Sequence, residues 1–301
     1  MKKIAVVGSL NMDIVIETPH MPKGGETISG RNVTLIPGGK GANQAYAVGK
    51  LGGDITMIGA VGRDSSGDAL LENLKSVNVN VSGIQRMEEG VTGQAYITVD
   101  DHGENSIILI AGTNGLVTKE LIDDHMDILR ECDIVIMQLE IPLDVVEYVK
   151  EFVVEEGKTV IVDPAPAISN IPDHFWKGID YIKPNETELV ILTGLKMETR
   201  EELVQGARMM IGKGVKNVIV TLGGDGCLFV TNETEEFFPS HKVKAVDTTA
   251  AGDSFTAAFA LALSQGKEYK EAIELGQKVS SIVVTRKGAQ TSIPTMGEVN
   301  Q

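Results

Sequence analysis

The sequence predicts an α/β fold, a three-layer α/β/α sandwich with a mostly parallel central sheet and a small second β-sheet, and three observations carry this. Short runs rich in Ile and Val alternate with segments of helical periodicity through the second half of the chain, the pattern of parallel strands covered by helices on both faces. Two other stretches, at about 13–36 and 93–110, are strand-like but punctuated by Pro and Gly, and add β-structure that such a sandwich does not need. Finally, 301 residues of which 42% are hydrophobic suffice for one full core, and no internal repeat, low-complexity stretch or long linker divides them, so 1–301 reads as one domain.

Taken in order, Ile4–Gly8 is a first buried strand. Met1-Lys2-Lys3 followed by apolar residues could open a secretion signal, but Gly8, Asn11 and Asp13 interrupt it too early. Between Asp13 and Ile36, strand-like pieces are separated by Pro19, Pro22, Gly24, Gly25 and Gly30. Helical spacing begins after Gly41, through Ala42, Ala45, Val48 and Gly49, so the run from Gly38 to Gly41 meets a helix N-terminus. Ile55–Val61 reads as strand and Gly67–Lys75 as helix. Gly93–Val99 and Asn105–Ile110 flank the turn Asp100-Asp101-His102-Gly103 and predict a hairpin. Strands are then expected at Asp133–Gln138, Thr159–Asp163, Tyr181–Lys183 and Asn217–Leu222, with helices at Leu116–Arg130, Pro142–Glu155, Glu186–Thr193 and Arg200–Gly212. After Gly252 and Asp253, the residues Phe255, Ala258, Phe259, Ala262 and Leu263 recur at helical spacing, which predicts a buried amphipathic helix with Asp253 in its first turn.

Composition narrows the function. A formal charge of −15 disfavours nucleic acid or an anionic membrane as partner, because either would be repelled over the whole surface. No apolar stretch approaches the roughly 20 residues needed to span a bilayer. Cys132 and Cys227 are far apart and lack metal spacing, which fits free thiols in a reducing cytoplasm better than a disulfide framework. The five histidines are scattered, and no His- or Cys-rich cluster suggests zinc.

The residues at the strand ends are more informative. Glu140, Asp163, Asn185 and Thr221-Leu222-Gly223-Gly224 lie at or just beyond carboxyl ends, where open α/β sheets bind ligands. Unpaired backbone N–H groups at a helix start suit a polyphosphate oxygen, and Ala250, Ala251 and Gly252 are small enough to let one approach. Asp253 beside such a pocket is either a helix cap or a general base for an attacking hydroxyl. Asn11 and Asp13, at alternate positions, could hold neighbouring hydroxyls of a ligand or end a strand in an Asx turn. Asn185 with Glu188 has the spacing of a capping box.

Two long stretches add a resemblance. Asp247-Thr248-Thr249-Ala250-Ala251-Gly252-Asp253-Ser254-Phe255 resembles the C-terminal signature of the PfkB carbohydrate kinases, and Gly38-Gly39-Lys40-Gly41-Ala42-Asn43-Gln44-Ala45 their N-terminal one. The likeness runs from Gly8-Ser9-Leu10-Asn11-Met12-Asp13 to Thr285-Arg286-Lys287-Gly288-Ala289-Gln290, nearly the whole chain. Within the family it implies the branch that phosphorylates the 5-hydroxyl of D-ribose with ATP, giving ribose 5-phosphate and ADP in the cytoplasm. Other substrates used in the family, such as fructose, 2-keto-3-deoxygluconate or adenosine, and a sugar-sensing regulator without turnover, are the alternatives.

Residue by residue, the resemblance implies Asp253 as base, with the N–H groups of Ala250, Ala251, Gly252 and Asp253 as an anion hole. It places Asn11, Asp13, Gly39, Lys40, Gly41, Asn43 and Glu140 at the sugar. It places Asn185, Thr221, Gly223, Gly224, Gly226, Gly252 and Gln277 at ATP, and Glu188 at Mg²⁺ through water. Asp247, Thr249, Val283, Arg286, Gly288 and Ser292 are implied around K⁺, several by backbone carbonyl. The small sheet becomes a lid over the sugar that also pairs two subunits in a homodimer. Ala250 departs from many relatives outside this branch, which have Gly there.

Overall fold

The computed structural model describes residues 2–301. In chain order its strands are β1 (Ile4–Val7), β2 (Asn11–Glu17), β3 (Asn32–Gly38), β4 (Ile55–Gly62), β5 (Asn80–Met87), β6 (Gly93–Val99), β7 (Asn105–Ile110), β8 (Ile134–Gln138), β9 (Thr159–Asp163), β10 (Tyr181–Ile182), β11 (Asn217–Thr221), β12 (Gly226–Val230) and β13 (Glu235–Pro239). Nine of them form one sheet in the order β13-β12-β11-β10-β9-β8-β1-β4-β5, parallel except for the antiparallel β12 and β13. The rest form a four-stranded sheet, β3-β2-β6-β7, in which β2 and β6 run parallel.

Successive side chains of a strand point to opposite faces, so the wholly apolar β1 serves two cores. Ile4 and Val6 pack with the helices Lys40–Lys50, Ala251–Ser264 and Tyr269–Val283, while Ala5 and Val7 pack with Leu143–Glu155, Glu186–Thr193 and Arg200–Gly212. This produces the expected three layers, with the smaller sheet outside them.

The differences from expectation have local causes. The helix Ala251–Ser264 is buried almost all round and not amphipathic, because helices Lys40–Lys50 and Tyr269–Val283 flank it over the sheet. Such a helix loses its polar stripe. The stretch expected as one helix over Leu116–Arg130 is two, Lys119–Asp124 and Met126–Glu131. Thr118 caps the first, and His125 stands between them outside helical geometry. β5 and β13 carried no clear pattern; both are edge strands, where one side faces no partner strand and alternation weakens. Asn11 and Asp13 sit within β2, facing Gly38 and Ile36 of β3, so neither forms an Asx turn.

Cys132 and Cys227 are free and buried, and Trp176 is a packing residue 1% exposed against Phe175. Among the described residues no helix is long and apolar enough to cross a membrane.

Candidate active site

The carboxyl ends of β8, β9 and β11 and the N-termini of helices Lys40–Lys50 and Ala251–Ser264 meet on one rim. At its centre lies Asp253, 6% exposed. Asn43 Nδ2 donates to its Oδ2 at 2.9 Å and Gln44 Nε2 to its Oδ1 at 3.2 Å. Gln44 Nε2 also donates to Asp163 Oδ2 at 2.9 Å, and Gln138 Nε2 donates to Gln44 Oε1 at 2.7 Å. Each carboxylate oxygen of Asp253 is thus fixed by one amide and keeps lone pairs for another proton. Asp253 makes no side-chain cap to its own helix, so the capping alternative is set aside.

On one side of Asp253 is a cavity of about 450 Å³. It is lined by Asn185, Glu188, Thr221, Gly223, Gly224, Gly226, Gly252 and Gln277, which brings together the residues expected at ATP, and also by Ala250, Ala251, Asp253 and Lys40. Among the described residues, the N–H groups of Ala250, Gly252 and Asp253 have no intramolecular partner, as expected of a helix start, whereas that of Ala251 donates to Thr248 O at 3.2 Å. The opening is therefore narrower than the run Ala250–Asp253 implied. Ala250 itself takes φ +59°, a left-handed conformation that glycine adopts more cheaply.

Sequence reasoning missed three contributions. Lys183, 5% exposed, lines the cavity 3.5 Å from Asp163, and its Nζ lies 3.4 Å from where a Cβ on Gly252 would stand. It was visible only as the end of a strand; what was lacking was a signal that it faces the anion hole. Ser240, His241, Lys242 and Val243 form a wall of the cavity from an irregular segment with no pattern. Asn114 is the third, on the opposite side of Asp253.

That opposite side is built from β2, the glycine-rich loop and β8. Asn114 Nδ2 donates to Asn11 Oδ1 at 2.7 Å, so Asn11 presents its NH₂ group as donor. Gly39 has φ +88°, and a Cβ there would strike the Asn11 backbone N at 2.7 Å, so the chain can pass only as glycine. Glu140 Oε2 accepts from the Lys40 backbone N–H at 3.0 Å and from the Ser9 hydroxyl. Its tie to the protein is therefore a clamp on the loop, made through one oxygen alone among the described residues.

The electrostatics are acidic. Burial, then the neighbouring Glu140 and Asp253 carboxylates, push Asp13 up to about 7. Burial likewise raises Glu140, against the pull of the Ser9 hydroxyl and Lys40. Burial opposes the charge on Lys40, but Asp253, Asp163, Glu140 and Glu188 outweigh it and hold its ammonium above the usual lysine range.

Asn185 and Glu188 form the reciprocal capping box, each bonding the other's backbone N–H at 2.7–2.8 Å. Glu188 also lines the cavity, so both roles coexist. Among the described residues no group of three or more His, Cys, Asp or Glu could hold a metal alone. One carboxylate beside a phosphate pocket nevertheless suits Mg²⁺, which keeps several waters. Elsewhere, Asp247 accepts from Thr249 N and Oγ1 at 2.9 and 2.7 Å and from Gly288 N at 2.9 Å, and Arg286 donates to Ser292 O at 3.4 Å. The segments expected around K⁺ are thus joined, but the Asp247 side chain serves the loops. Val283, at a helix end, already receives the Arg286 N–H on its carbonyl.

The chain is similar to known proteins over nearly its whole length. The chain is 38% identical to a ribokinase of Haemophilus influenzae, covering 99% of this chain and 97% of that one. It is 36% identical to a deoxyribokinase of Salmonella typhi, again over 99% and 97%. The structure of Arabidopsis thaliana ribokinase complexed with ribose and ATP superposes with a TM-score of 0.95 at 36% identity, covering 99% of this chain and 97% of the other. The model of the pfkB family carbohydrate kinases matches residues 1–296, and the chain belongs to that family.

Proposed function

We propose that this chain transfers the γ-phosphoryl group of ATP to the 5-hydroxyl of D-ribose. The observation that carries the reading is that Asp253 stands between the cavity and the polar loop side, at a helix start whose Gly252 and Asp253 N–H groups are free. The sugar lies among Asn11, Asp13, Gly39, Gly41, Asn43 and Glu140, with Lys40 between it and the phosphates. Near pH 7 the raised Asp13 can donate to a hydroxyl as well as accept.

As the hydroxyl oxygen bonds to the γ-phosphorus, Asp253 takes its proton and the bond to the β-phosphate oxygen breaks, leaving ADP. The Gly252 and Asp253 N–H groups and Lys183 offset charge on the transferring group. Asn185, Thr221, Gly223, Gly224, Gly226 and Gln277 seat the nucleotide. Glu188 would hold Mg²⁺ through water, and the ion would supply charge neutralisation at the phosphates. Carbonyls of the segments around Asp247 and Arg286–Ser292 would hold K⁺ and stiffen the loop.

The four-stranded sheet covers the sugar. Its Val33, Leu35, Ile108 and Ile110 share one face by strand register and are 41–66% exposed, an apolar face that a second copy would bury in a homodimer. Two buried thiols fit a reducing cytoplasm.

ADP release measured across pentoses, hexoses and nucleosides, with and without K⁺, tests this. The best rate is expected with D-ribose and an increase with K⁺. 2-Deoxy-D-ribose is the competitor to include, because a deoxyribokinase is as similar as several ribokinases. Faster release with it, or with adenosine, would overturn the substrate; no release with any sugar would favour a sensor.

A further inference from the structure

Asp253 is oriented from a distance. Its Oδ2 receives Asn43 Nδ2, 2.9 Å away; Asn43 Oδ1 receives Gln290 Nε2 at 3.0 Å; and Gln290 Oε1 receives Nδ2 of Asn73, half-buried on the helix Ser65–Lys75. Asn43 and Gln290 are 6% and 2% exposed, so water has little access to replace these bonds.

A carboxylate can only accept, which forces Asn43 to turn its NH₂ towards Asp253 and its oxygen towards Gln290. Gln290 must then turn its own NH₂ inward and its oxygen towards Asn73. The chain therefore has one permitted direction: reversing Gln290 would set its oxygen against Asn43 Oδ1, reversing Asn73 would set its oxygen against Gln290 Oε1, and a reversal carried through Asn43 would bring oxygen to oxygen at Asp253. Gln290 also opens the turn Gln290–Ser292 just after Gly288, which Asp247 ties to the segment leading into the Asp253 helix.

We infer that Asn73 and Gln290 are positioning residues for phosphoryl transfer, a directional amide relay that fixes the Asp253 carboxylate and couples it to the 286–292 loop. The inference rests on Asp253 being the base. Asn73 and Gln290 neither line the nucleotide cavity nor stand among the residues placed at the sugar, so the pair acts on kcat more than on sugar binding.

Steady-state kinetics of Asn73→Ala, Asn73→Asp, Gln290→Met and the double variant Asn73→Asp with Gln290→Met test it, each checked by its melting temperature. Asn73→Asp, which demands an N–H from Gln290 and reverses the chain, is expected to lower kcat about tenfold while the ribose KM moves less than about twofold. Asn73→Ala, which merely opens the outer end, should lose about twofold. In the Gln290→Met background Asn73→Asp should add nothing, because the link is cut.

Equal kcat for Asn73→Asp and Asn73→Ala, or an undiminished Asn73→Asp effect in the double variant, would overturn the relay. Should Asn73→Asp not fold, Gln290→Glu against Gln290→Met poses the same reversal one link inward, with the same ordering required. Asp253→Asn, run alongside, separates the two ideas: turnover retained there removes the base, and the relay with it.

Discussion

Two helices of this chain start in runs of small residues, and their ends do opposite things. At Lys40–Lys50 the first N–H groups are all taken: Lys40 by Glu140, Gly41 by the Ser9 hydroxyl at 3.3 Å, Ala42 by Ser9 O at 2.9 Å. At Ala251–Ser264 two remain free, and beside them stand Lys183 and a cavity. Glycines alone do not make an anion site. What decides is whether neighbouring acceptors close the helix end, and an acidic clamp such as Glu140 both closes it and repels phosphate.

The comparison can be broken most severely at Asp253. Asp253→Asn is expected to cut kcat by about 10³-fold while leaving ribose affinity nearly unchanged, read by turnover and calorimetric titration. Lys183→Met comes next, with kcat/KM for ATP falling about 100-fold and the ribose KM little altered. A loss confined to ribose would place that lysine on the wrong side.

The closed side is sharpened by pH. Asp13 moves from an ordinary 3.8 to about 7 in the fold, so between those values the unfolded chain releases a proton that the folded chain keeps. Stability of the free protein is therefore expected to fall as pH rises through that window. Asp13→Asn should remove this contribution, gaining on the wild type in melting temperature from pH 5 to pH 8; a constant difference would deny the shift.

The smallest effect belongs to Ala250→Gly. Relief of the left-handed strain, about 1–2 kcal/mol, is largely offset by the greater freedom of glycine in the unfolded chain. A net gain of about 0.5 kcal/mol in denaturant melts is expected, and a loss of stability would show that Ala250 is not strained.

The fold was largely legible because the buried parallel strands are short Ile- and Val-rich runs, while β5 and β13, each paired on one side, left no such mark. The site was legible where chemistry is carried by contiguous residues, as in Gly38–Gln44 and Asp247–Asp253. It was not where partners lie far apart in the chain: Asn114 with Asn11, Gln290 with Asn43, and Lys183 with Gly252 meet only through the sheet order. Nor could spacing tell the closed helix end from the open one, because Glu140, which closes the first, lies 100 positions away from Lys40.

The direct test is to follow backbone amide resonances of both helix starts by NMR while ribose, ADP and aluminium fluoride, a mimic of the transferring phosphoryl group, are added. When the fluoride is added to protein already holding ADP and ribose, Gly252 and Asp253 should shift strongly, while Gly41 and Ala42, on the sugar side, stay nearly still at that step. Shifts at Gly41 and Ala42 with Gly252 and Asp253 unmoved would contradict the account.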